Sequence, residues 1–428
     1  MKVIYVKYKK IEVGPCNLHL IKTDKFKCNK FSVHFREPLL KENITKRKLL
    51  KEILLTSTKK YNTERLMNIK SEELYGLPFG GNTYISGKFH IMAFDMEFLN
   101  DKYIDENIFE ECLTFMMDIL FNPNIKNNKF DEKIFDLTKE NLKEQIESAN
   151  DNPRTYSVRR MLEELGKNTS ISYHNEGYIE DLESITNENL YGYYKDVLKR
   201  NTVDIFMLGD FDIDDMKNFI ASHFAINTIK KPVGEHFIEH DLFRKRCKNI
   251  IEQKDINQSK LVIGCKLKGL TPFERNCVAN IYSYILGGGA DSILFRNVRE
   301  KHSLCYYISS SVNKVTNLLV IESGIDKKDY KKCIRLIKKE LKNVASGSFD
   351  ESLIENGKTT YINACKEITD APGMLLNVYI SNEYLKTGLI EDKEKEILKV
   401  TKNDVIQFAK KVYIDTVYLL EGGDINGD

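Results

Sequence analysis

The chain has 428 residues, enough for about two to four compact units that each bury a core. Hydrophobic residues make up 42% and charged residues 30%, and 65 basic against 63 acidic side chains give a net charge of +2. This balance argues against a dedicated nucleic-acid-binding protein, in which basic residues are in clear excess. No run of about 18 apolar residues occurs, so no membrane span is expected.

The cysteines and the first residues indicate the compartment. The nine cysteines are odd in number and scattered, and none forms a C-x-x-C pair, which is typical of reduced, buried thiols. Residues 1–10 contain only a short apolar stretch interrupted by lysine, so no signal peptide is expected. We therefore expect a cytoplasmic protein.

A helix with a threonine N-cap, followed by a strand, occurs twice in the sequence. The first helix begins at Thr186 and precedes a strand at 203–208. The second begins at Thr401, continues through Val412 and precedes a strand at 417–420. The two threonines lie 215 positions apart, half of the chain, which indicates duplication of a whole domain.

The duplication predicts the domain organisation. We expect an N-terminal half at 1–228, a linker at 229–245 and a C-terminal half at 246–428. The linker contains Pro232 and Gly234 and has no clear periodicity. Strands that alternate with helical segments predict an α+β fold, with antiparallel sheets and helices packed on one face of each sheet.

The second half contains the clearest local signals. A strand is expected at 261–267, and Thr271 with Glu274 forms a capping box that begins a helix. That helix ends at the glycines of 287–289, after which a short helix and a strand follow. Apolar residues at helical spacing in 330–344 predict a further helix, whose lysine-rich face we interpret as solvated surface.

The sequence HFIEH at 236–240 matches H-x-x-E-H, a spacing that places two zinc ligands and a general base on one face of a helix. Proline and glycine lie just upstream and no capping box begins a helix, so we interpret the match as chance spacing of linker histidines. The alternative is a zinc site formed by His236, Glu239 and His240.

The segment from Gly287 to Tyr307 resembles the pitrilysin and mitochondrial-processing-peptidase family of zinc peptidases. In active members, an arginine and a tyrosine seven positions apart hold the peptide and stabilise the developing oxyanion. The resemblance implies this role for Arg299 and Tyr306, and a guanidinium and a phenol can both donate hydrogen bonds to a scissile carbonyl. The alternative is a local salt bridge at Arg299 and a half-buried tyrosine.

Gly288 and Gly289 precede this pair. The resemblance makes them candidates for close approach of the backbone to the substrate. Termination of the preceding helix is the alternative role.

The family carries its zinc motif in the first quarter of the chain. In the best local match, Lys48, Lys51 and Glu52 occupy the histidine, glutamate and histidine positions. The third ligand position aligns with Gln145, and a slip of one residue would place Glu144 there. A lysine cation does not bind zinc and cannot act as the carboxylate base, so we expect the metal site to be lost and no zinc in this chain.

The resemblance implies two homologous halves that face each other like a clamshell. It also implies a division of labour seen in bacterial members, in which a zinc-bearing homologue pairs with a chain that lacks the motif. We expect an inactive metallopeptidase homologue of this kind, a heterodimer subunit that binds a peptide as an added strand and supplies the Arg/Tyr pair. The alternatives are a structural core-type subunit and a self-sufficient zinc endopeptidase that uses the 236–240 segment.

Overall fold

The computed structural model describes three stretches of the chain: 6–167, 169–224 and 234–422. They form two compact units, each assembled from three segments. Unit 1 contains the described parts of Met1–Ser148, His174–Glu235 and Ala371–Ile380. Unit 2 contains the described parts of Ala149–Tyr173, His236–Asp370 and Ser381–Asp428.

Strands and helices alternate through the described residues. The strands are β1 (Lys7–Val13), β2 (Cys16–Lys22), β3 (Cys28–Pro38), β4 (Phe79–Ser86), β5 (Phe89–Leu99), β6 (Ile125–Lys126), β7 (Lys129–Phe130), β8 (Thr202–Gly209), β9 (Lys248–Gln253), β10 (Ser259–Leu267), β11 (Tyr307–Asn313), β12 (Leu318–Ile325) and β13 (Val412–Glu421). The α-helices are α1 (Lys41–Thr56), α2 (Glu64–Glu73), α3 (Phe109–Phe121), α4 (Glu132–Ser148), α5 (Pro153–Leu165), α6 (Ile179–Ser184), α7 (Asn187–Arg200), α8 (Ile213–His223), α9 (Ala279–Gly287), α10 (Tyr330–Ala345), α11 (Ser352–Ile368), α12 (Pro372–Leu385), α13 (Ile390–Leu398) and α14 (Lys402–Ala409).

The two units contain the same sheet. The strand order in unit 1 is β1-β2-β8-β3-β5-β4, and that in unit 2, read from the opposite edge, is β9-β13-β10-β12-β11. Each sheet contains one parallel pair of neighbouring strands. The pair is β2 with β8 in unit 1 and β9 with β13 in unit 2. Unit 1 has one additional edge strand, β1. This common topology confirms the predicted α+β fold with duplicated halves.

The predicted helix starts are present. Thr186 and Thr401 each form a complete capping box at the start of α7 and α14, and Thr271 and Glu274 exchange hydrogen bonds in the same way. The prediction that the last helix continues through Val412 is wrong. Helix α14 ends at Ala409, because Val412 already pairs with Leu267 of β10 as the first residue of β13.

The core of each unit lies between its sheet and the helices on one face. In unit 1, alternate residues Phe31, Val33 and Phe35 of β3 are fully buried and form one cluster with Leu50 of α1 and Phe115 of α3. Burial of each such side chain stabilises the fold by about 1.5–3 kcal/mol. Unit 2 has an equivalent cluster between its sheet and α9, α10 and α14.

Helices pack on one face of each sheet, and a further helix lies on the opposite face of the unit 2 sheet. In unit 2 the opposite face is covered by α5, whose Met161 and Leu165 form a cluster with Val262 and Tyr418. A Cβ atom at Gly264 of β10 would lie 2.3 Å from Met161 Sδ, so the missing side chain allows the helix to lie close to the strand. Helix α5 comes from the region that the linear division places in the first half.

Residues 371–380 lie in the second half of the sequence but belong to unit 1. This first part of α12 belongs to unit 1, where the ring of Tyr379 lies 5.0 Å from that of Tyr8 on β1. Each unit therefore includes a helical segment from the opposite end of the linear division. Of the predicted linker, residues 234–245 contain no helix or strand, and 229–233 lie outside the described residues. No helix within the described stretches is long and apolar enough to cross a bilayer.

Candidate functional site

The positions aligned with the zinc ligands lie on two helices of unit 1 that pack against each other, α1 and α4. Lys48, Lys51 and Glu52 are on α1, and Gln145 is on α4 with an exposed side chain. Lys51 is only 7% exposed, and its ammonium group donates a hydrogen bond to the Glu52 carboxylate. The arrangement therefore brings together a lysine and a carboxylate at the positions that the sequence alignment assigns to the metal ligands.

The surroundings of these side chains do not fit a zinc ion. The Lys51 side chain lies across β4, since a Cβ atom at Gly81 would be 3.2 Å from Lys51 Cδ. Burial lowers the pKa of Lys48, an effect that Glu176 opposes. Zinc is bound by imidazole, thiolate or carboxylate groups, and of the three aligned positions on α1 only Glu52 carries such a group. It is paired with Lys51, so we assign no metal chemistry to this site.

The histidines of the HFIEH segment are used structurally. Residues 234–244 of the chain form neither helix nor strand, whereas the zinc motif requires a helix. His236 is 1% exposed, and its ring stacks on that of Tyr384 at 5.1 Å. His240 Nε2 lies 2.8 Å from the Thr316 carbonyl oxygen, and burial lowers the pKa of its imidazole.

The glutamate of the same segment is also engaged. Arg275 Nη2 donates a hydrogen bond of 2.6 Å to Glu239, and Asn317 Nδ2 donates one of 3.0 Å. Among the residues that the structure describes, no group of three closely spaced potential ligands includes Glu239 or either histidine. The segment therefore does not have the geometry of the motif that its sequence matches.

Arg299 lies in unit 2 on a π-helical turn, Phe295–Glu300, whose i to i+5 bond joins Lys301 N–H to the Arg296 carbonyl oxygen. Such turns are rare in proteins overall, and those that occur are often found at functional sites. The guanidinium lies 4.5 Å from the centre of the Phe295 ring. Its nearest carboxylate, Glu300, is 3.8 Å from Nε, and both side chains are well exposed. An exposed pair of this kind contributes little energy, so the guanidinium is available as a donor.

Tyr306 immediately precedes β11. Its backbone N–H donates a hydrogen bond of 2.9 Å to the carbonyl oxygen of Gly324, which fixes the residue at the start of the edge strand. The residue is 62% exposed, in contrast to the half-buried tyrosine of the alternative interpretation. The sequence prediction of a helix, a glycine run, a short helix and a strand is confirmed over this connection.

The glycine run has a packing role that is clear from distances. Helix α9 ends at Gly287, and a Cβ atom there would be 2.7 Å from Ser310 N of β11. A Cβ atom at Gly288 would be 2.9 Å from Tyr284 Cα, and one at Gly289 would be 3.3 Å from Asp291 Oδ1. Gly287 and Gly288 therefore allow close packing, and Gly289 is the least constrained of the three.

Arg154, which lies in the first turn of α5, was not predicted from the sequence. Its guanidinium lies 5.0 Å from the centre of the Tyr307 ring, next to Tyr306. Nε donates a hydrogen bond of 2.6 Å to Glu322, which raises the pKa of the arginine. Arg154 is far from Arg299 and Tyr306 in the sequence. Its contact with Tyr307 follows from the packing of α5 on the unit 2 sheet, which no local pattern predicts.

Comparison with known proteins shows which family the chain resembles. The family model described as Peptidase M16 inactive domain matches residues 184–361. A relative named probable inactive metalloprotease YmfF, from Bacillus subtilis (strain 168), is 29% identical over 421 residues, with 98% of each chain covered. The chain is similar to proteins of the peptidase M16 family. The resemblance to the pitrilysin and processing-peptidase family is thereby confirmed, and the chain is a homologue of M16 proteins described as inactive.

Solved structures agree over the whole chain. The crystal structure of a conserved protein from Enterococcus faecalis V583 is 29% identical with a TM-score of 0.92, covering 98% of this chain and 100% of that one. The crystal structure of a peptidase M16 inactive domain from Pseudomonas fluorescens has a TM-score of 0.78 at 14% identity, covering 98% of both chains. The second likeness concerns the fold alone.

Proposed function

We propose that this chain is the non-catalytic, zinc-free subunit of a two-chain M16 peptidase. A homologous zinc-bearing partner cleaves the peptide, and this chain binds the peptide and supplies Arg299 and Tyr306. The observation that carries the proposal is the combination of lysines at the zinc-ligand positions, Lys48 and Lys51, with an exposed arginine and tyrosine next to an open sheet edge.

The open edge is strand β11, which among the described strands pairs only with β12. The outer N–H and C=O groups of an edge strand are available to an extended peptide, which adds as a further strand. Strand β11 begins one residue after Tyr306. A peptide along β11 therefore passes the phenol at the start of the strand.

The chemistry of the pair suits a carbonyl that gains negative charge. A guanidinium and a phenol donate hydrogen bonds to the oxygen on which charge develops, and removal of one such donor typically slows a reaction by about 10²- to 10³-fold. The partner's zinc, when bound, activates the attacking water. The residues of this chain hold and orient the substrate.

Reconstitution tests the proposal. Cleavage of an unfolded polypeptide is measured with a zinc-bearing M16 homologue from the same organism, alone and with increasing amounts of this chain. We expect little cleavage by either protein alone. The cleavage rate should rise as this chain is added and reach its maximum when the two chains are equimolar. Equal activity of the partner without this chain would overturn the proposal and leave the structural core-type subunit. Chelator-sensitive cleavage by this chain alone would instead support the self-sufficient endopeptidase.

A further inference from the structure

Two cations lie over one aromatic ring on the α5 face of the unit 2 sheet. The ring is that of Tyr307, the first residue of β11. Arg154 of α5 places its guanidinium 5.0 Å from the ring centre, and Lys260 of β10 places Nζ at 5.6 Å. Both distances are within the range of about 6 Å at which a cation is attracted to the face of an aromatic ring.

A glycine and a glutamine fix this arrangement. Gly324 lies directly opposite Tyr307 in β12, and a Cβ atom there would be 2.5 Å from Tyr307 Cε1 and 2.4 Å from Gln258 Oε1. The missing side chain thus lets the ring lie across β12 toward β10. Gln258 Oε1 accepts a hydrogen bond of 2.6 Å from Lys260 Nζ, which holds the ammonium group near the ring.

The cluster has more positive than negative charge. Glu322 accepts a hydrogen bond of 2.6 Å from Arg154 Nε and so neutralises one cation. Lys260 has no carboxylate within 4.0 Å among the residues that the structure describes. Its partial burial and the nearby Arg154 cation lower the pKa of its ammonium group. The second effect shows that the two like charges lie close together.

The positive charge of Arg154 and Lys260 lies near the open edge of the sheet, which is strand β11. Strand β11 is the outermost strand, and a peptide added to it would lie about 4.8 Å further out. Alternate side chains of that peptide would lie on the same face as Tyr307 and Ser309, since side chains of a strand alternate between faces. Ser309 is opposite Glu322 in the register of the sheet, so this row of the peptide runs on the face that carries Arg154 and the Tyr307 ring, with Lys260 on the inner side of that ring.

We propose that Arg154 and Lys260 form a subsite for an acidic side chain, so that the peptides bound along β11 carry aspartate or glutamate on the α5 face. This specificity rests on the proposed function, because it requires a peptide added to β11. Lys260 is the determining group, since Arg154 already has Glu322 as a partner.

Binding of matched peptides to the full chain tests this inference. Three short fluorescent peptides of Val/Thr-rich, extended sequence differ only in having glutamate, glutamine or lysine at alternate central positions. Fluorescence anisotropy at low salt is expected to show the glutamate peptide binding about two- to fivefold more tightly than the glutamine peptide, and the lysine peptide more weakly. High salt should reduce the difference.

Two substitutions separate the subsite from general charge. Lys260→Glu should reverse the preference, and Lys260→Gln, which keeps a donor for Gln258, should abolish it. The control Lys331→Glu makes the same charge change on α10, which packs on the other face of the sheet, and should keep the preference. Loss of the preference in this control would overturn the inference.

The outcomes distinguish the two proposals. Equal binding of the glutamate and glutamine peptides by the unaltered chain would overturn the acidic subsite and leave peptide binding along β11 in place. Failure of all three peptides to bind would contradict the peptide-binding function, and the subsite with it.

Discussion

At the residue scale, the pair Arg299 and Tyr306 carries the functional proposal. Neither side chain is buried, and the nearest carboxylate to the guanidinium is Glu300, in an exposed pair of 3.8 Å. Two large exposed side chains without strong partners contribute little to stability. Their value to the molecule is therefore expected to lie in binding and catalysis with the partner.

Removal of either side-chain donor should slow the proposed cleavage. Arg299→Ala and Tyr306→Phe should each reduce kcat of the reconstituted pair by about 10²-fold, since each removes one donor to the developing oxyanion. Steady-state kinetics with a chromogenic peptide measures this effect. Arg335→Ala, on the exposed side of α10, is the matched control and should be neutral. Unchanged rates in both site variants would contradict a role for the pair.

A second residue-scale feature is the buried histidine His90 on β5. Neither ring nitrogen has a hydrogen-bond partner within the described part of the chain, and burial together with the cations of Arg47 and Lys48 lowers the pKa of the imidazole to about 3. The unfolded chain, with a histidine pKa near 6.5, takes up the proton first. The stability that this group contributes is therefore present above about pH 6.5 and is lost as the pH falls toward 3.

The histidine predicts a pH dependence of unfolding. Between about pH 6 and 4, His90 should contribute a slope of about 1.4 kcal/mol per pH unit to the free energy of unfolding. His90→Leu should reduce the total slope by this amount, whereas His223→Leu, at an exposed position of α8, should not. Urea titrations across this pH range measure the slope. An unaltered slope in His90→Leu would show that the group is not held neutral.

At the element scale, the connection that carries Arg299 and Tyr306 has a counterpart in unit 1. Leu304 N–H donates a hydrogen bond of 3.1 Å to the Val298 carbonyl oxygen, and Leu77 N–H donates one of 3.0 Å to that of Ser71. In both connections the residue before the donor has a positive φ, 48° at Ser303 and 66° at its counterpart Gly76.

The counterpart shows which residues the fold itself requires. Aligning the two connections by these hydrogen bonds places Glu72 and Phe79 of unit 1 at the positions of Arg299 and Tyr306. Unit 1 therefore builds the same connection without the arginine and the tyrosine. We predict that a double variant, Arg299→Glu with Tyr306→Phe, keeps its free energy of unfolding within about 0.5 kcal/mol while it fails to support cleavage. A marked loss of stability would assign the pair a structural role.

The glycine run gives a second prediction at this scale. Gly287→Ala places a methyl group 2.7 Å from the backbone of β11, so it should destabilise the chain by about 1–3 kcal/mol. Gly289→Ala, whose nearest contact at 3.3 Å is the side-chain oxygen Oδ1 of Asp291, needs only a small shift of that side chain and should change stability by less than about 0.5 kcal/mol. Urea unfolding compares the two variants. Equal destabilisation would contradict the assigned close packing of α9 on β11.

At the scale of the whole molecule, the sequence could predict what depends on local pattern. The threonine caps of α7 and α14 and their spacing revealed the duplication, because capping boxes and hydrophobic periodicity are local properties. The exchange of α5 could not be predicted, since an apolar helix face indicates burial and does not indicate against which sheet. The contact of Arg154 with Tyr307 depends on that exchange and was missed for the same reason.

The central claim is that this chain contributes no zinc to the peptidase of which we propose it is a part. Elemental analysis of the chain, purified without chelator and without a metal-affinity tag, tests it most directly. The lysines at the ligand positions and the structural use of His236 and His240 predict far less than one zinc per chain. Stoichiometric zinc that is lost in His236→Ala would contradict the account and make this chain an active peptidase with a displaced motif.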